Sequence, residues 1–333
     1  MIDAVINLAK LPQYDHNHYA VVDLGSNSFH LSIICLTDNK IETVNKVKNK
    51  VRLAAGLNNQ NELSQEAMTR GLDCLFLFTQ YLKNIPKENI CIVATAALRI
   101  AINRDNFINK ANKFLPVKIK LLNGEQEANI IYSGVAYTCE NNFKQKRLVL
   151  DIGGASTELI VGQNHQANRV VSLNLGCVSF REKYFIDGQL TEKNFLMAIH
   201  AASNIIKPIC TGFIKFGWQS VVGSSGTIKA LTEILIFRQQ APIITADFLQ
   251  EIKASLIACK NIETITDDSL AFKGLRTDRI PVLASGLSIL IALFNCLEIK
   301  ELGLSSGALR EGLLYNILPN PLLNKQECDY TIK

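Results

Sequence analysis

The chain has 333 residues, enough for two domains, because a single domain usually contains about 100–200 residues. Hydrophobic residues make up 48% of the sequence and charged residues 20%, which excludes an intrinsically disordered chain. The 35 lysines and arginines exceed the 30 aspartates and glutamates, so the formal net charge is +5. This mild positive charge suits an anionic small ligand and is too weak to predict nucleic-acid binding.

The nine cysteines are scattered and form no C-x-x-C pair, which favours free thiols in a reducing compartment over a disulfide framework or a zinc site. Residues 1–10 show no basic leader followed by an apolar stretch, so no signal peptide is predicted. The longest apolar run, Leu287 to Leu297, is shorter than the about 20 residues that cross a bilayer. The sequence therefore predicts a cytoplasmic protein without a membrane partner.

Strand and helix patterns alternate along the chain, which is typical of an α/β protein. Strands are predicted at 19–23, 29–35, 45–53, 90–94, 117–122, 148–151 and 158–161. Helices are predicted from the N-cap residue Ser64 onward, at 107–114, at 125–136 and after the glycine turn 223–227. The tail from Pro319 to Lys333 lacks periodicity and is predicted to be loose.

A motif near the start of the chain occurs again in the second half. Residues 21–28 and 149–156 both read as apolar strand residues followed by D-[LI]-G-x-x-S, in which the acids are Asp23 and Asp151. A polar, basic segment from Lys144 to Arg147 precedes the second copy and is the predicted domain boundary. A motif repeated at the spacing of a domain indicates two related halves that face one cleft.

These Asp-Gly turns have the chemistry of a phosphate site. Glycine lets backbone N–H groups approach an anion closely, and the carboxylate at the strand end can hold Mg²⁺. Two facing turns would bind a phosphate chain from both sides, and a third glycine turn, Gly223 to Thr227, follows another apolar pair. For an isolated turn, an ordinary hairpin is the alternative. Neither the P-loop pattern nor a strand-linked G-x-G-x-x-G is present.

The sequence resembles the exopolyphosphatase/guanosine pentaphosphate phosphatase (Ppx/GppA) family of the actin, Hsp70 and sugar-kinase superfold. The matching stretches lie in family order between residues 19 and 318, at 22–30, 94–99, 124–128, 151–158, 176–179, 223–227 and 307–312. The resemblance implies an α/β fold with two ribonuclease-H-like domains and an active site in the cleft between them. Domain I would comprise 1–138 with a C-terminal helix at about 307–320, and domain II 139–306. Longer relatives carry an additional C-terminal HD-like domain.

The resemblance implies Mg²⁺-dependent hydrolysis of terminal phosphoanhydride bonds in inorganic polyphosphate, in guanosine pentaphosphate (pppGpp), or in both. Glu127 corresponds to the family's general base, and Arg99 would bind the phosphate chain. Glu125 lies two residues from Glu127, but a helix places the two positions on different faces. Asp151 and Glu158 correspond to the metal-holding acids, with Asp23 as the acid of the first turn.

The phosphate-binding residues implied by the resemblance and the turns are Gly25, Ser26, Asn27, Gly153, Gly154, Ala155, Ser156, Gly223, Ser225 and Gly226. Ala155 stands where many relatives have a third glycine, and Gln126 where many have a second glutamate. No nucleic-acid partner is expected, and a homodimer is left open by the sequence. Taken without the resemblance, Arg99, Glu127 and Glu158 could be ordinary solvated side chains.

Two other functions compete with hydrolysis. A kinase or ATPase of the same superfold would transfer phosphate to an acceptor other than water, and would have no need for Glu127 as a base. A non-catalytic sensor of guanosine polyphosphates or polyphosphate would need neither the base nor the metal-holding acids.

Four cations occur at alternate positions, at Lys46, Lys48, Lys50 and Arg52, which places them on one face of the predicted strand. This face could guide a polyanion to the cleft. The alternative is a solvated edge strand whose lysines prevent pairing between sheets.

Overall fold

The computed structural model describes residues 13–38, 40–139, 145–265 and 270–319. The predictions made for residues 1–10, for Lys144 and for the tail beyond Pro319 lie outside the described residues.

The first half of the chain forms a five-stranded sheet. Its strands are β1 (His18–Leu24), β2 (Ser28–Thr37), β3 (Lys40–Lys50), β4 (Ile90–Ala94) and β5 (Lys120–Leu121). The strand order is β3-β2-β1-β4-β5, with β1, β2 and β3 antiparallel and with β4 and β5 parallel to β1. The sequence motif at 21–28 therefore spans the end of the central strand and the turn into β2.

The second half repeats this arrangement in a six-stranded sheet. Its strands are β6 (Arg147–Ile152), β7 (Thr157–Gln163), β8 (Gln166–Leu173), β9 (Ser220–Ser224), β10 (Ile243–Thr245) and β11 (Glu301–Leu304). The order is β10-β11-β9-β6-β7-β8, in which β6, β7 and β8 are antiparallel while β9 and β11 continue in parallel. Apart from the added edge strand β10, this is the ribonuclease-H-like order of the first sheet. The predicted fold class is confirmed.

Ten α-helices accompany the sheets in the described part of the chain. They are α1 (Gln65–Leu82), α2 (Ala96–Ile100), α3 (Arg104–Ala111), α4 (Gly124–Thr138), α5 (Cys177–Tyr184), α6 (Glu192–Phe216), α7 (Ser225–Phe237), α8 (Ala246–Cys259), α9 (Ile280–Leu297) and α10 (Leu309–Ile317). Ser64 caps α1 as predicted, since its side chain accepts a hydrogen bond from the backbone N–H of Ala67.

The predicted strands and helices are found, with differences at several ends. The strand predicted at 45–53 begins at Lys40 and ends at Lys50, because Arg52 adopts the left-handed backbone conformation with φ 52°. The strand predicted at 117–122 shortens to the two residues of β5, and the helix predicted at 107–114 begins at Arg104. Pairing with a neighbouring strand fixes strand ends, so they cannot be obtained from hydrophobic periodicity alone.

Helix α9 contains the longest apolar run. The run continues in the N-terminal direction to Ile280, giving 18 residues with a mean hydropathy of 2.1, long and apolar enough by composition to cross a membrane. However, 83% of this segment is buried inside the protein, where it packs against α5, α6 and α8. The helix is apolar on all sides because protein surrounds it, so we assign it to the core.

Helix α10 returns from the second sheet to the first half of the chain and packs on α4, β1 and β4. Glycines allow the close contact with α4. A Cβ atom at Gly134 would lie 2.0 Å from the carbonyl oxygen of Ala308, and one at Gly307 would lie 2.1 Å from the carbonyl oxygen of Gly134. The contact of α10 with the first sheet agrees with its predicted place in domain I, although the domain bounds themselves stay a prediction.

Gly134→Ala should lower the free energy of unfolding by about 2–3 kcal/mol, because its new methyl group meets backbone atoms that cannot move aside. Urea denaturation measures this change. Gly303→Ala is the matched control, since a Cβ atom there would lie 3.9 Å from its nearest neighbour, an ordinary contact. Equal unfolding midpoints for the two variants would contradict the proposed close packing of α4 and α10.

Candidate active site

The two Asp-Gly turns of the repeated motif lie against each other. A Cβ atom at Gly154 would be 2.8 Å from the Cβ of Ser26 and 3.3 Å from the backbone nitrogen of Asn27. Only a glycine permits this approach of the second turn to the first. The structure therefore brings together the predicted phosphate-binding residues of the two halves.

Helix α5 holds the second turn in place through backbone hydrogen bonds. The carbonyl oxygen of Gly153 accepts a hydrogen bond from the backbone N–H of Cys177, and that of Gly154 accepts from Val178 and Ser179. Within the turn, the N–H of Gly153 donates to the carbonyl of Ser156 at 2.9 Å. These bonds fix the backbone of the turn before any ligand binds.

Glu127 lies in the first turn of α4 and is buried, with 6% of its surface exposed, whereas Glu125 is exposed. The side chain of Gln126 forms a capping box with Asn123, because each side chain accepts from the other residue's backbone N–H. The prediction that Glu125 and Glu127 lie on different faces of the helix is confirmed. Gln126 has a structural role at the start of the helix.

Arg99, in α2, links the acids of the two halves. Its Nη1 donates to Glu127 Oε2 at 2.7 Å and to the carbonyl of Leu122 at 3.1 Å. Its Nη2 lies 3.4 Å from Ser172 Oγ and 3.9 Å from Glu158 Oε1. Glu127 and Glu158 are thus both within reach of one guanidinium group.

Serine hydroxyls orient two of the predicted metal-holding acids. Ser172 Oγ donates to Glu158 Oε1 at 2.7 Å, and Ser224 Oγ donates to Asp151 Oδ2 at 2.5 Å. Both serines are the strand partners of the acids that they bind. Sequence analysis missed these two serines, because the pairing of β8 with β7 and of β9 with β6 is not visible in the linear motif.

The third glycine turn also lies at this site. Ser225 has a left-handed backbone with φ 75°, and its hydroxyl donates to the carbonyl of Ile152 at 2.6 Å. A Cβ atom at Gly226 would be 2.0 Å from Nη1 of Arg279, so this arginine covers the turn. Gly223 is buried beneath it, against Ile228.

Asp23, at the end of β1, has a buried oxygen without a partner. Its Oδ1 forms no hydrogen bond although it is excluded from solvent. The neighbouring strand places His30 directly opposite Asp23, and Nη1 of Arg310 donates to Nδ1 of that histidine at 2.7 Å. His30, Arg279 and Arg310 were not assigned roles from the sequence. The two arginines lie far from the repeated motif in the sequence, and the contact of His30 with Arg310 depends on the tertiary structure.

Burial raises the pKa values of all four acids at this site. The pKa of Asp23 rises to about 6 and that of Glu127 to about 7, and burial raises the pKa values of Asp151 and Glu158 as well. The charge of Arg99 opposes the increase in the pKa of Glu127, whereas the negative charges of Asp23 and Asp151 add to that increase. A carboxyl group whose pKa lies near neutrality suits general base catalysis at physiological pH.

The acids of the site fit Mg²⁺ better than a metal that needs a complete protein cage. No group of three or more His, Cys, Asp or Glu side chains forms a metal cluster among residues 13–38, 40–139, 145–265 and 270–319. Mg²⁺ needs only one or two carboxylates and completes its shell with water and phosphate oxygens. The unpartnered Oδ1 of Asp23 is a suitable oxygen ligand for the ion. The charge of Asp151 also raises the pKa of the Asp23 carboxyl group.

The predicted row of cations is present in part. Lys46, Lys48 and Lys50 lie on one face of the edge strand β3, but Arg52 follows the end of the strand. Lys48 is half-buried and forms an ion pair with Asp278 at 2.9 Å. The two lysines Lys48 and Lys50 line a cavity of about 430 Å³ together with residues 276–278. The position of β3 agrees with the edge-strand interpretation, and the guidance of a polyanion stays a prediction.

The two ribonuclease-H-like halves define a two-domain α/β protein. Its cleft contains buried acids beside glycine turns of the kind that is typical of phosphate-binding sites. A model of the Ppx/GppA phosphatase family matches residues 32–321, and the chain belongs to this family. The resemblance identified in the sequence is therefore confirmed.

Two relatives illustrate the relationship. The chain is 48% identical over 300 residues to a guanosine-5'-triphosphate,3'-diphosphate pyrophosphatase of Photobacterium profundum, which covers 90% of this chain and 59% of the relative. It is 50% identical over 303 residues to a protein of the same name from Pseudoalteromonas translucida, covering 91% and 60%. The chain thus spans about three fifths of the length of these relatives.

Solved structures show the same fold. An exopolyphosphatase from Cytophaga hutchinsonii superposes with a TM-score of 0.78 at 22% identity, covering 90% of this chain and 97% of the other. The Ppx/GppA family member of Aquifex aeolicus gives a TM-score of 0.69 at 21% identity, with the same coverage.

Arg99→Gln should move the acidic limb of the pH–activity profile to higher pH. The guanidinium stabilises the charged form of Glu127, so its removal raises the pKa of that carboxyl, and a base must be deprotonated to act. The measurement is kcat/KM between pH 5 and 9 at saturating Mg²⁺. Arg99→Lys keeps the charge and should shift the limb less. A limb that stays in place in Arg99→Gln would contradict Glu127 as the titrating base.

Proposed function

We propose that this protein hydrolyses the terminal phosphoanhydride bond of guanosine pentaphosphate, of inorganic polyphosphate, or of both. Relatives of about 50% identity are named guanosine-5'-triphosphate,3'-diphosphate pyrophosphatases, which favours the nucleotide substrate. The neighbour from Cytophaga hutchinsonii is titled an exopolyphosphatase, but its 22% identity supports only the shared fold.

The observation that carries the proposal is the environment of Glu127. A buried carboxyl group with a pKa of about 7 lies in the same cleft as glycine turns that can bind phosphate oxygens. A kinase would also use a carboxylate base, to accept the proton of its acceptor hydroxyl, so the choice between water and another acceptor is left to the test below. A sensor without catalysis would have no use for a carboxyl group that burial destabilises by desolvation.

In the proposed reaction, Glu127 accepts a proton from the attacking water molecule while the water oxygen forms a bond to the terminal phosphorus. The bond between the terminal phosphorus and the bridging oxygen breaks, and the bridging oxygen keeps the electron pair as part of the leaving group, which is ppGpp or a polyphosphate shorter by one unit. The terminal phosphoryl group, now bonded to the water oxygen, is released as orthophosphate. Arg99 orients the Glu127 carboxylate, and its remaining N–H groups can stabilise phosphate oxygens as negative charge shifts to the leaving group. The backbone N–H groups of the turns at 25–27 and 153–156 hold the phosphate chain in position.

One or two of the carboxylates of Asp151, Glu158 and Asp23 would hold Mg²⁺ at the cleft, with water and phosphate oxygens as its other ligands. When bound, the ion neutralises phosphate charge and polarises the bond that breaks. The hydroxyls of Ser224 and Ser172 keep the carboxylates of Asp151 and Glu158 in fixed orientations.

We further propose a cytoplasmic location, with no nucleic-acid or membrane partner. Eight cysteines of the described residues are free thiols, which is typical of a reducing compartment.

The test of the proposed function is orthophosphate release from pppGpp, long polyphosphate, tripolyphosphate and ATP, each with and without Mg²⁺. We expect Mg²⁺-dependent release from pppGpp, from polyphosphate, or from both, and slower release from ATP. Glu127→Gln should lower kcat by about 10²–10⁴ with KM largely kept, because the amide cannot accept the proton. Glu125→Gln is the matched control and should have a mild effect, since Glu125 is exposed.

Two outcomes would contradict this function, and a third would contradict the assignment of the base. ATP turnover that polyphosphate stimulates as a phosphate acceptor would indicate a kinase. Tight binding of pppGpp or polyphosphate without phosphate release would indicate a sensor. A damaging Glu125→Gln beside a mild Glu127→Gln would show that the base is misassigned.

Asp151→Asn and Glu158→Gln should each raise the Mg²⁺ concentration at half-maximal activity, because the ion loses an anionic oxygen ligand. The measurement is phosphate release over a Mg²⁺ titration. Ser255→Ala serves as the control, since its exposed hydroxyl donates to the backbone carbonyl of Glu251 within α8. Full activity of the unaltered protein in excess chelator would remove the metal from the proposal.

A further inference from the structure

Arg310 lies where the chain crosses from the second sheet to the first half. The backbone N–H of Ser305 donates to the carbonyl of Gly223 at 2.8 Å, and Gly307 packs on the backbone of Gly134. This crossing fixes the start of α10, and Arg310 is the second residue of that helix. Its side chain therefore extends from a rigid support that touches both halves of the cleft.

The orientation of the Arg310 side chain is set by His30. Nη1 of Arg310 lies 2.7 Å from Nδ1 of His30. A guanidinium group has only donors, so Nδ1 must be the unprotonated nitrogen of the ring. His30 in turn has a fixed place in the sheet, directly opposite Asp23.

The charge of Arg310 acts on the floor of the cleft. Burial raises the pKa values of Asp23 and Asp151, and the charge of Arg310 opposes this increase. Burial lowers the pKa of His30, which lies opposite Asp23 in the sheet, and the charge of Arg310 lowers it further. Even so, Arg310 takes part in none of the ion pairs within the described part of the chain. One of its five N–H donors is used by His30, and its charge has no paired carboxylate.

A half-buried guanidinium with free donors matches a specific class of ligand. Its planar array of donors fits the oxygens of a phosphate group, and the bond is strengthened by the opposite charges. The acids near it do not form ion pairs with it, so a phosphate group would be the first anion to contact it directly. The hydrogen bond to His30 reduces the side-chain freedom that binding would otherwise remove.

We propose that Arg310 is a substrate-binding residue that contacts non-bridging oxygens of the phosphate chain, and that His30 is the positioning residue that holds it. This inference rests on the proposed function for the identity of the substrate. It assigns a role to a histidine on β2 and an arginine on α10, which are 280 positions apart in the sequence.

The first experiment compares Arg310→Ala, Arg310→Lys and the unaltered protein in phosphate release, with Arg70→Ala as the control. Arg70 is a partly exposed arginine of α1 that pairs with Glu66 and donates to the backbone carbonyl of Val51. Arg310→Ala should lower kcat/KM by about 10²-fold, mostly through KM, and Arg310→Lys should lose less. Added guanidinium ion at low, non-denaturing concentration should restore activity to Arg310→Ala and to neither of the other two proteins.

The second experiment tests His30 as the positioning residue. His30→Asn keeps an acceptor oxygen at the position of Nδ1 and should retain most of the activity. His30→Phe keeps a ring without an acceptor and should lower kcat/KM by about tenfold. The double variant His30→Phe/Arg310→Ala should be no worse than Arg310→Ala alone, because both changes remove one interaction.

An unchanged kcat/KM in Arg310→Ala would overturn the substrate contact. A loss of activity in this variant that is accompanied by a lower melting temperature, and that guanidinium does not restore, would also overturn it. Equal losses in His30→Asn and His30→Phe would overturn the positioning role. If the unaltered protein released no phosphate from any substrate, the proposed function would fail. Calorimetric binding of tripolyphosphate to the unaltered protein and to Arg310→Ala would then decide the role of Arg310 separately, and equal affinities would overturn it.

Discussion

The close contact between the two Asp-Gly turns is the constraint on which the rest of the cleft depends. Gly154 can approach Ser26 and Asn27 only because it has no side chain. This approach brings the ends of the two central strands together, and with them Asp23 and Asp151. A methyl group at this position would force the two turns to move apart.

This arrangement brings several buried carboxyl groups close together, which is electrostatically unfavourable. Asp23, Glu127, Asp151 and Glu158 all have raised pKa values, and each is affected by at least one of the others or by Glu311. The protein offsets this charge with two arginines that come from different elements, Arg99 on α2 and Arg310 on α10. A bound divalent cation would add to this offset, which supports the proposed Mg²⁺ site.

Family membership and the site geometry support each other without being equivalent. The fold is shared with exopolyphosphatase and Ppx/GppA structures at about a fifth sequence identity, so the fold alone does not identify the substrate. The proposed hydrolysis is supported by a local feature. Glu127, buried on the first turn of α4, lies beside Arg99 and the two Asp-Gly turns. Relatives of about half sequence identity are named guanosine-5'-triphosphate,3'-diphosphate pyrophosphatases, and these names are the basis of the proposed nucleotide substrate.

The sequence by itself determined the alternation of strands and helices, the central strands, the two Asp-Gly turns and the difference between Glu125 and Glu127, while the ribonuclease-H-like class came from the family resemblance. These features are local, because a strand pattern, a turn motif and the faces of a helix each need only neighbouring residues. Only the tertiary structure decided the partners of the acids. Ser172 meets Glu158 and Ser224 meets Asp151 through strand pairing, and Arg310 reaches His30 because α10 crosses back to the first half. Contacts between distant segments depend on register and packing, which no local pattern encodes.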